Sequence, residues 1–161
     1  MSVSYETKLN GSYVFFGIFL IIYQILGSIF VYLPLLYGLI FCYMFYLLEE
    51  KERLFNKFDF RWYFSLFFLF FTDVSYGFFV FSSWFAFFIF YYICADWIKT
   101  NLKVGKFMPI IFVLFSYLFI FILDFTLSFL SDEKITFFSF SFFVSIILEC
   151  FLAYVFFKDK I

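Results

Sequence analysis

Apolar positions along this 161-residue chain run in three long blocks, Ser12–Leu48, Trp62–Ala95 and Met108–Phe157. A helix rises about 1.5 Å per residue, so a bilayer core of about 30 Å takes roughly 20 residues to cross. The first block has 37 residues and the second 34. As single helices they would run on the order of 50 Å, which is too long even with tilt. Each is therefore expected to fold back on itself, and each carries breaker chemistry near its middle. The first has Gly27-Ser28 and then Pro34. The second has Thr72-Asp73-Val74-Ser75-Tyr76-Gly77, and the third is cut by Ser131-Asp132-Glu133-Lys134. This pattern predicts an all-α polytopic membrane protein. It has one membrane domain over residues 1–161, with six transmembrane helices at about 12–27, 32–48, 61–73, 78–95, 108–130 and 137–157.

Charge placement tests that layout, because basic residues concentrate on the cytoplasmic side of membrane proteins. With six spans and both ends in the cytoplasm, ten of the eleven Lys and Arg lie inside, and Lys134 alone lies outside. A single crossing over Trp62–Ala95 would put the basic linkers "EEKERLFNKFDFR" and "DWIKTNLKVGKF" on opposite faces and destroy the bias. The fold-back at "TDVSYG" is thus supported by charge as well as length. The architecture expected is three hairpins joined by two cytoplasmic linkers, in the inner (cytoplasmic) membrane. Pro109 suits the first turn of helix 5, where its missing N–H is no loss. The two linkers mix charge with aromatics and read as interfacial anchors. The second is net basic and fits anionic lipid or a cytoplasmic partner.

Composition agrees. The chain is 66% hydrophobic and 32% aromatic, with 36 Phe. A water-soluble domain is nearer half apolar and leaves much of its surface wet. The excess of Phe, Ile and Lys over three Ala reads as A/T-rich coding bias rather than as an aromatic cage. Met1–Gly11 is polar and no small-residue cleavage site follows the first apolar run, so direct insertion of helix 1 is expected. Cys42, Cys94 and Cys150 all lie in apolar runs, and an odd number there argues against a disulfide framework. With no His and no paired Cys, no transition-metal or haem site is expected. No phosphate loop or nucleophile elbow is present. No cofactor and no nucleic-acid partner is expected.

The candidate site residues are the polar ones inside the apolar blocks, since an ionisable group in a bilayer costs a few kcal/mol. Asp73 is expected at the outer turn, capping helix 4 with help from Thr72 and Ser75, and Gly77 lets that turn be tight. Tyr117, Asp124 and Ser128 share one face of helix 5, pointing into the bundle or a cavity. Ser141, Ser145, Glu149 and Ala153 recur every four residues on helix 6, a small-residue packing face holding one acid. Gln24 aligns with Gly17 and Ser28 and reads as interhelical hydrogen-bonding glue. No Lys or Arg lies inside the membrane to pair with these acids. They are left neutral, hydrogen-bonded or facing a cation.

The order Pro34, "EEKERLFNKFDFR", "WYFSLFFLFFTD", Gly77, "FFVFSSWFAFFIFYY" resembles MreD, the small integral membrane protein of the bacterial rod-shape system (elongasome). The resemblance covers the whole chain in layout but rests in residues mainly on Asp73 and Gly77. Two departures stand against it. Leu69 occupies a position where MreD-like sequences carry Gly, and the helices are Phe-rich rather than Leu- and Gly-rich. The resemblance implies a non-enzymatic scaffold linking MreC, the MreB filaments and the RodA–penicillin-binding-protein synthase in lateral peptidoglycan synthesis. It also implies a fold similar to the substrate-binding S-components of energy-coupling-factor transporters. The rival expectation is accordingly a small-molecule-binding transporter subunit with an outward cavity lined by Asp73, Tyr117, Asp124 and Glu149. A membrane enzyme is not expected, because no nucleophile, base or metal constellation accompanies the isolated acids.

Overall fold

The computed structural model describes residues 11–30, 33–54, 60–95, 97, 105–131 and 140–158. Among them the chain is helical, without strands. Six α-helices follow in order: α1 Gly11–Ile29, α2 Tyr37–Leu54, α3 Phe60–Tyr76, α4 Ser82–Ile89, α5 Met108–Ser131 and α6 Phe140–Phe157. A π-helical segment, Phe90–Ala95, carries α4 onward, and a 3-10 turn, Gly105–Phe107, leads into α5. Pro109 sits in the first turn of α5, as its chemistry predicts. The polar turn expected at Ser131–Lys134 lies, after Ser131, outside the described residues.

Four boundaries differ from the sequence reading, one of them the start of α4, at Ser82 rather than near residue 78. Helix α2 starts at Tyr37 rather than near residue 32, and it runs on to Leu54 through residues expected to form a linker. Its last turns, Leu47–Leu54, are all Leu, Glu, Lys or Arg, which lose little entropy in a helix. Lys51 and Arg53 also complement the negative end of the helix dipole. Helix α3 passes through Thr72-Asp73-Val74-Ser75 to Tyr76 instead of ending at Asp73. It closes when the Phe78 N–H donates to the Asp73 carbonyl at 2.9 Å across Gly77, whose φ is 72°. That six-to-one bond over a left-handed glycine is a Schellman closure. The chain therefore reverses at Gly77–Phe81, and the Asp73 side chain sits inside the bundle rather than in the turn.

Helix α2 is the centre of the bundle and packs on α3, α5 and α6, while α5 also packs on α4. Its Tyr37, Phe41, Cys42, Met44 and Phe45 are essentially inaccessible. Aromatic rings interlock around it edge to face: Phe45 with Phe112 at 4.5 Å, Phe41 with Phe87 at 5.2 Å, and Phe90 with Phe112 at 5.3 Å. Such pairs add roughly 0.5–1.5 kcal/mol each beyond the area they bury. Close approach of α2 to α5 depends on Gly38, where a Cβ would lie 2.6 Å from Val113 Cγ1. Helix α1 lies beside α3 and parallel to it: Gly17 faces Phe64 and Gly27 faces Tyr76. At one end of the bundle Arg61 bonds Glu50 at 3.1 Å, and the Tyr91 hydroxyl donates to Glu52 at 2.9 Å.

Among the described residues one helix, Met108–Ser131, is long and apolar enough to cross a membrane. Shorter apolar stretches are Gly17–Gly27, Ser82–Cys94 and Phe142–Phe157. Helix α2 falls short because charge fills its last turns, and α4 because its apolar stretch, even with the π segment, ends at Cys94.

Candidate functional site: a buried layer of three carboxylates

The chemistry of the bundle starts from two helix beginnings that cannot cap themselves. The first N–H groups of any helix lack internal partners, and Ser, Thr, Asp or Asn at the N-cap normally satisfies one. Here the residues before α2 and α4 are Leu36 and Phe81, both apolar and both left-handed, with φ of 64° and 69°. Each accepts the first helical bond through its carbonyl, from Ile40 at 3.0 Å and Phe85 at 3.1 Å. Neither has a side chain able to accept an N–H.

Carboxylates from other helices do that work. Glu149 on α6 reaches the start of α2 and accepts the N–H of Leu36 at 2.6 Å, Gly38 at 2.7 Å and Leu39 at 3.3 Å. The Tyr117 hydroxyl of α5 donates to Oε1, the oxygen that also accepts from Leu36. Asp73 on α3 accepts the Ser83 N–H at 3.2 Å and the Ser83 hydroxyl at 2.8 Å, so it caps α4. It also accepts the Tyr37 hydroxyl at 2.8 Å, which ties α3 to the first residue of α2. Asp124 on α5 accepts the Phe79 N–H in the α3–α4 turn at 3.1 Å, and Ser128 donates to it at 3.4 Å. All three acids are buried.

These contacts join into one layer. The Tyr37 ring stands edge-on to Tyr117 at 6.4 Å and to Phe78 at 5.5 Å, and Tyr117 is edge-on to Phe142 at 5.2 Å. The positive ends of the α2 and α4 dipoles converge on Glu149 and Asp73. Backbone N–H groups and tyrosine hydroxyls thus take the place of the Lys or Arg that the apolar blocks lack. Near the other end of the layer the Tyr23 hydroxyl of α1 donates to the Pro34 carbonyl at 2.9 Å. Pro34 is thereby held just ahead of α2.

Compared with protein-family models, with curated proteins and with solved structures, the chain shows no match to any of them. The site therefore has to be read from its own geometry. Among the described residues no three His, Cys, Asp or Glu side chains are grouped to hold a metal ion. The three cysteines are free thiols, and Cys42 donates weakly to the Pro109 carbonyl at 3.5 Å.

Of the residues singled out in the sequence, Asp73, Tyr117, Asp124, Ser128 and Glu149 join this layer. Asp73 caps helix 4 as expected, but Thr72 bonds the Phe68 carbonyl at 2.8 Å instead of sharing the cap. Ser145 is buried one turn before Glu149, with Ala153 one turn after, as a packing face requires. The Ser141 and Ser28 side chains lie outside what is described. Gly77 supplies backbone conformation alone, for a Cβ there would meet nothing within 4 Å. Gln24 is buried, yet neither amide atom has a partner, so the expected interhelical bond is not made by the described residues. The sequence reading missed Tyr37, Ser83, Tyr23 and Tyr76. Ser82-Ser83 just ahead of "WFAFF" was an available signal, because serine pairs favour helix starts. Nothing local marks Tyr37, whose partner is 36 residues away.

Proposed function

We propose that this chain is a multi-pass protein of the bacterial inner membrane and a non-enzymatic scaffold of the MreD type. In this reading both termini are cytoplasmic, and the partners are other membrane proteins of lateral cell-wall synthesis, an MreC-like protein first. The membrane part is supported by what the bundle leaves uncovered. Phe15 on α1, Phe85 on α4, Phe129 and Leu130 on α5 and Ile147 on α6 are each 62–78% exposed. Monomeric soluble proteins rarely present apolar surface on that scale.

One observation carries the scaffold part: all three buried carboxylates have acceptor positions taken by backbone N–H groups at the two chain reversals. A reactive acid needs a free lone pair aimed at a substrate. These acids are spent on holding five helices, α2 to α6, in one arrangement, which is what a partner-binding surface requires. The Asp73–Gly77 pair that prompted the resemblance fits the same account, one residue capping α4 and the other closing α3.

Affinity purification in both directions from detergent-solubilised membranes of the native host tests the proposal, together with depletion of the protein. The expected outcome is co-purification with MreC and loss of rod shape. No association in either direction, with normal rod shape on depletion, would end the proposal.

A further inference from the structure

Gln24 is 1% exposed, and neither its Oε1 nor its Nε2 meets a hydrogen-bond partner among the described residues. The Tyr76 hydroxyl is buried in the same condition. The two belong to facing helices. Gly17 of α1 lies against Phe64 and Gly27 against Tyr76, so interpolation along the parallel pair puts Gln24 level with Thr72, one turn from Tyr76. Gly27 is what admits the phenol, because a Cβ there would stand 2.6 Å from its oxygen. Tyr76 lies one turn after Asp73 on α3, so this cluster borders the carboxylate layer. An amide removed from water without partners is costly, and a native bundle does not ordinarily bury two polar groups this way side by side.

We propose that Gln24 and Tyr76 form a binding site for one small neutral hydroxyl group. The group donates to Gln24 Oε1 and accepts from the Gln24 amide or the Tyr76 hydroxyl. The chemistry of the lining selects it. A bare cation would face the amide N–H groups, and an anion would face Oε1 with Glu149 nearby. A hydroxyl both gives and accepts. Two sources have this chemistry: a buried water molecule, or the hydroxyl end of a bound alcohol. The inference rests on the packing of α1 against α3 and stands apart from the scaffold reading.

A double-mutant cycle in lipid nanodiscs tests it with Gln24→Leu, Tyr76→Phe and both together. A bridging guest is lost with either side chain. Each single variant should then lower the thermal unfolding midpoint by a few degrees, and the double variant should be no less stable than the weaker single. A rise in the midpoint of either single variant overturns the proposal, because it means an unpaired polar group was relieved. Simple additivity overturns it too. A second measurement on the unaltered protein does not depend on the variants folding. Gln24 is the sole glutamine of the chain, so glutamine-selective ¹⁵N labelling gives a single side-chain amide. Proton-detected solid-state NMR should show a through-space cross-peak from it to a non-protein proton. A cross-peak at the water resonance, with no small-molecule adduct released on denaturation, assigns water. A cross-peak to a carbon-bound proton, with an adduct released on denaturation and seen by mass spectrometry, assigns a bound alcohol. An amide that contacts protein protons alone refutes the site.

Discussion

Replacing Glu149 probes the whole arrangement at once. Its carboxylate accepts two short bonds, from Leu36 and Gly38, a longer one from Leu39 and a fourth from the Tyr117 hydroxyl. Leaving a buried donor unsatisfied costs about 1–3 kcal/mol. For Glu149→Ala the two short backbone bonds alone set a loss of roughly 2–6 kcal/mol, before any cavity is counted. Domains are stable by only about 5–15 kcal/mol, so this is a large fraction of the total. Glu149→Gln keeps the shape and one acceptor but turns an NH₂ toward donors, and should cost about 1–3 kcal/mol. Thermal unfolding of the purified protein in a mild detergent ranks the three forms. Hydrogen exchange places the effect: the Leu36 and Gly38 amides should lose protection first, ahead of amides in the middle of α5. If Glu149→Ala unfolds within about 0.5 kcal/mol of the parent, as a neutral surface change would, the capping argument is wrong. Unchanged protection at Leu36 and Gly38 would refute it independently.

Two further outcomes follow from other contacts. Asp73→Ala removes the acceptor shared by Ser83 and Tyr37 and should destabilise by roughly 2–4 kcal/mol, whereas Asp73→Asn, which keeps one acceptor, should cost about 1 kcal/mol; unfolding midpoints of the two variants should separate in that order, and equal midpoints would contradict it. Gly38→Ala should cost about 1–3 kcal/mol by pressing a methyl into the stiff, β-branched Val113, and adding Val113→Ala should recover most of the loss; no recovery in the double variant would show that the clash is not the cause.

Much of this layout is legible in the chain itself, and the reason is locality. Block length, breaker residues and basic asymmetry each depend on neighbours in sequence, and they place six helices close to where the structure has them. Asp73 as the cap of helix 4 was also readable, because only ten residues separate it from Ser83. The start of α2 and the roles of the buried acids were misread because a distant group overrides the local signal. Helix α2 starts at Tyr37 instead of near residue 32. Its first N–H groups are held by Glu149, more than a hundred residues away, and Pro34 is fixed by Tyr23. Asp124 and Glu149 looked like isolated acids because nothing near them in sequence has an N–H to offer. Gln24 looked like glue because amides in apolar helices usually find partners, but none of the described residues gives it one.

What the sequence determined alone is the number of helices and their approximate ends. Those follow from hydropathy and the rise of a helix, which no tertiary contact can alter. Only the folded bundle decided that Glu149 accepts from the start of α2 and Asp124 from the turn before α4. An unsatisfied N–H before α2 or α4 has no memory of sequence distance. It takes the nearest carboxylate in space, and packing α6 and α5 against those starts is what brings Glu149 and Asp124 there.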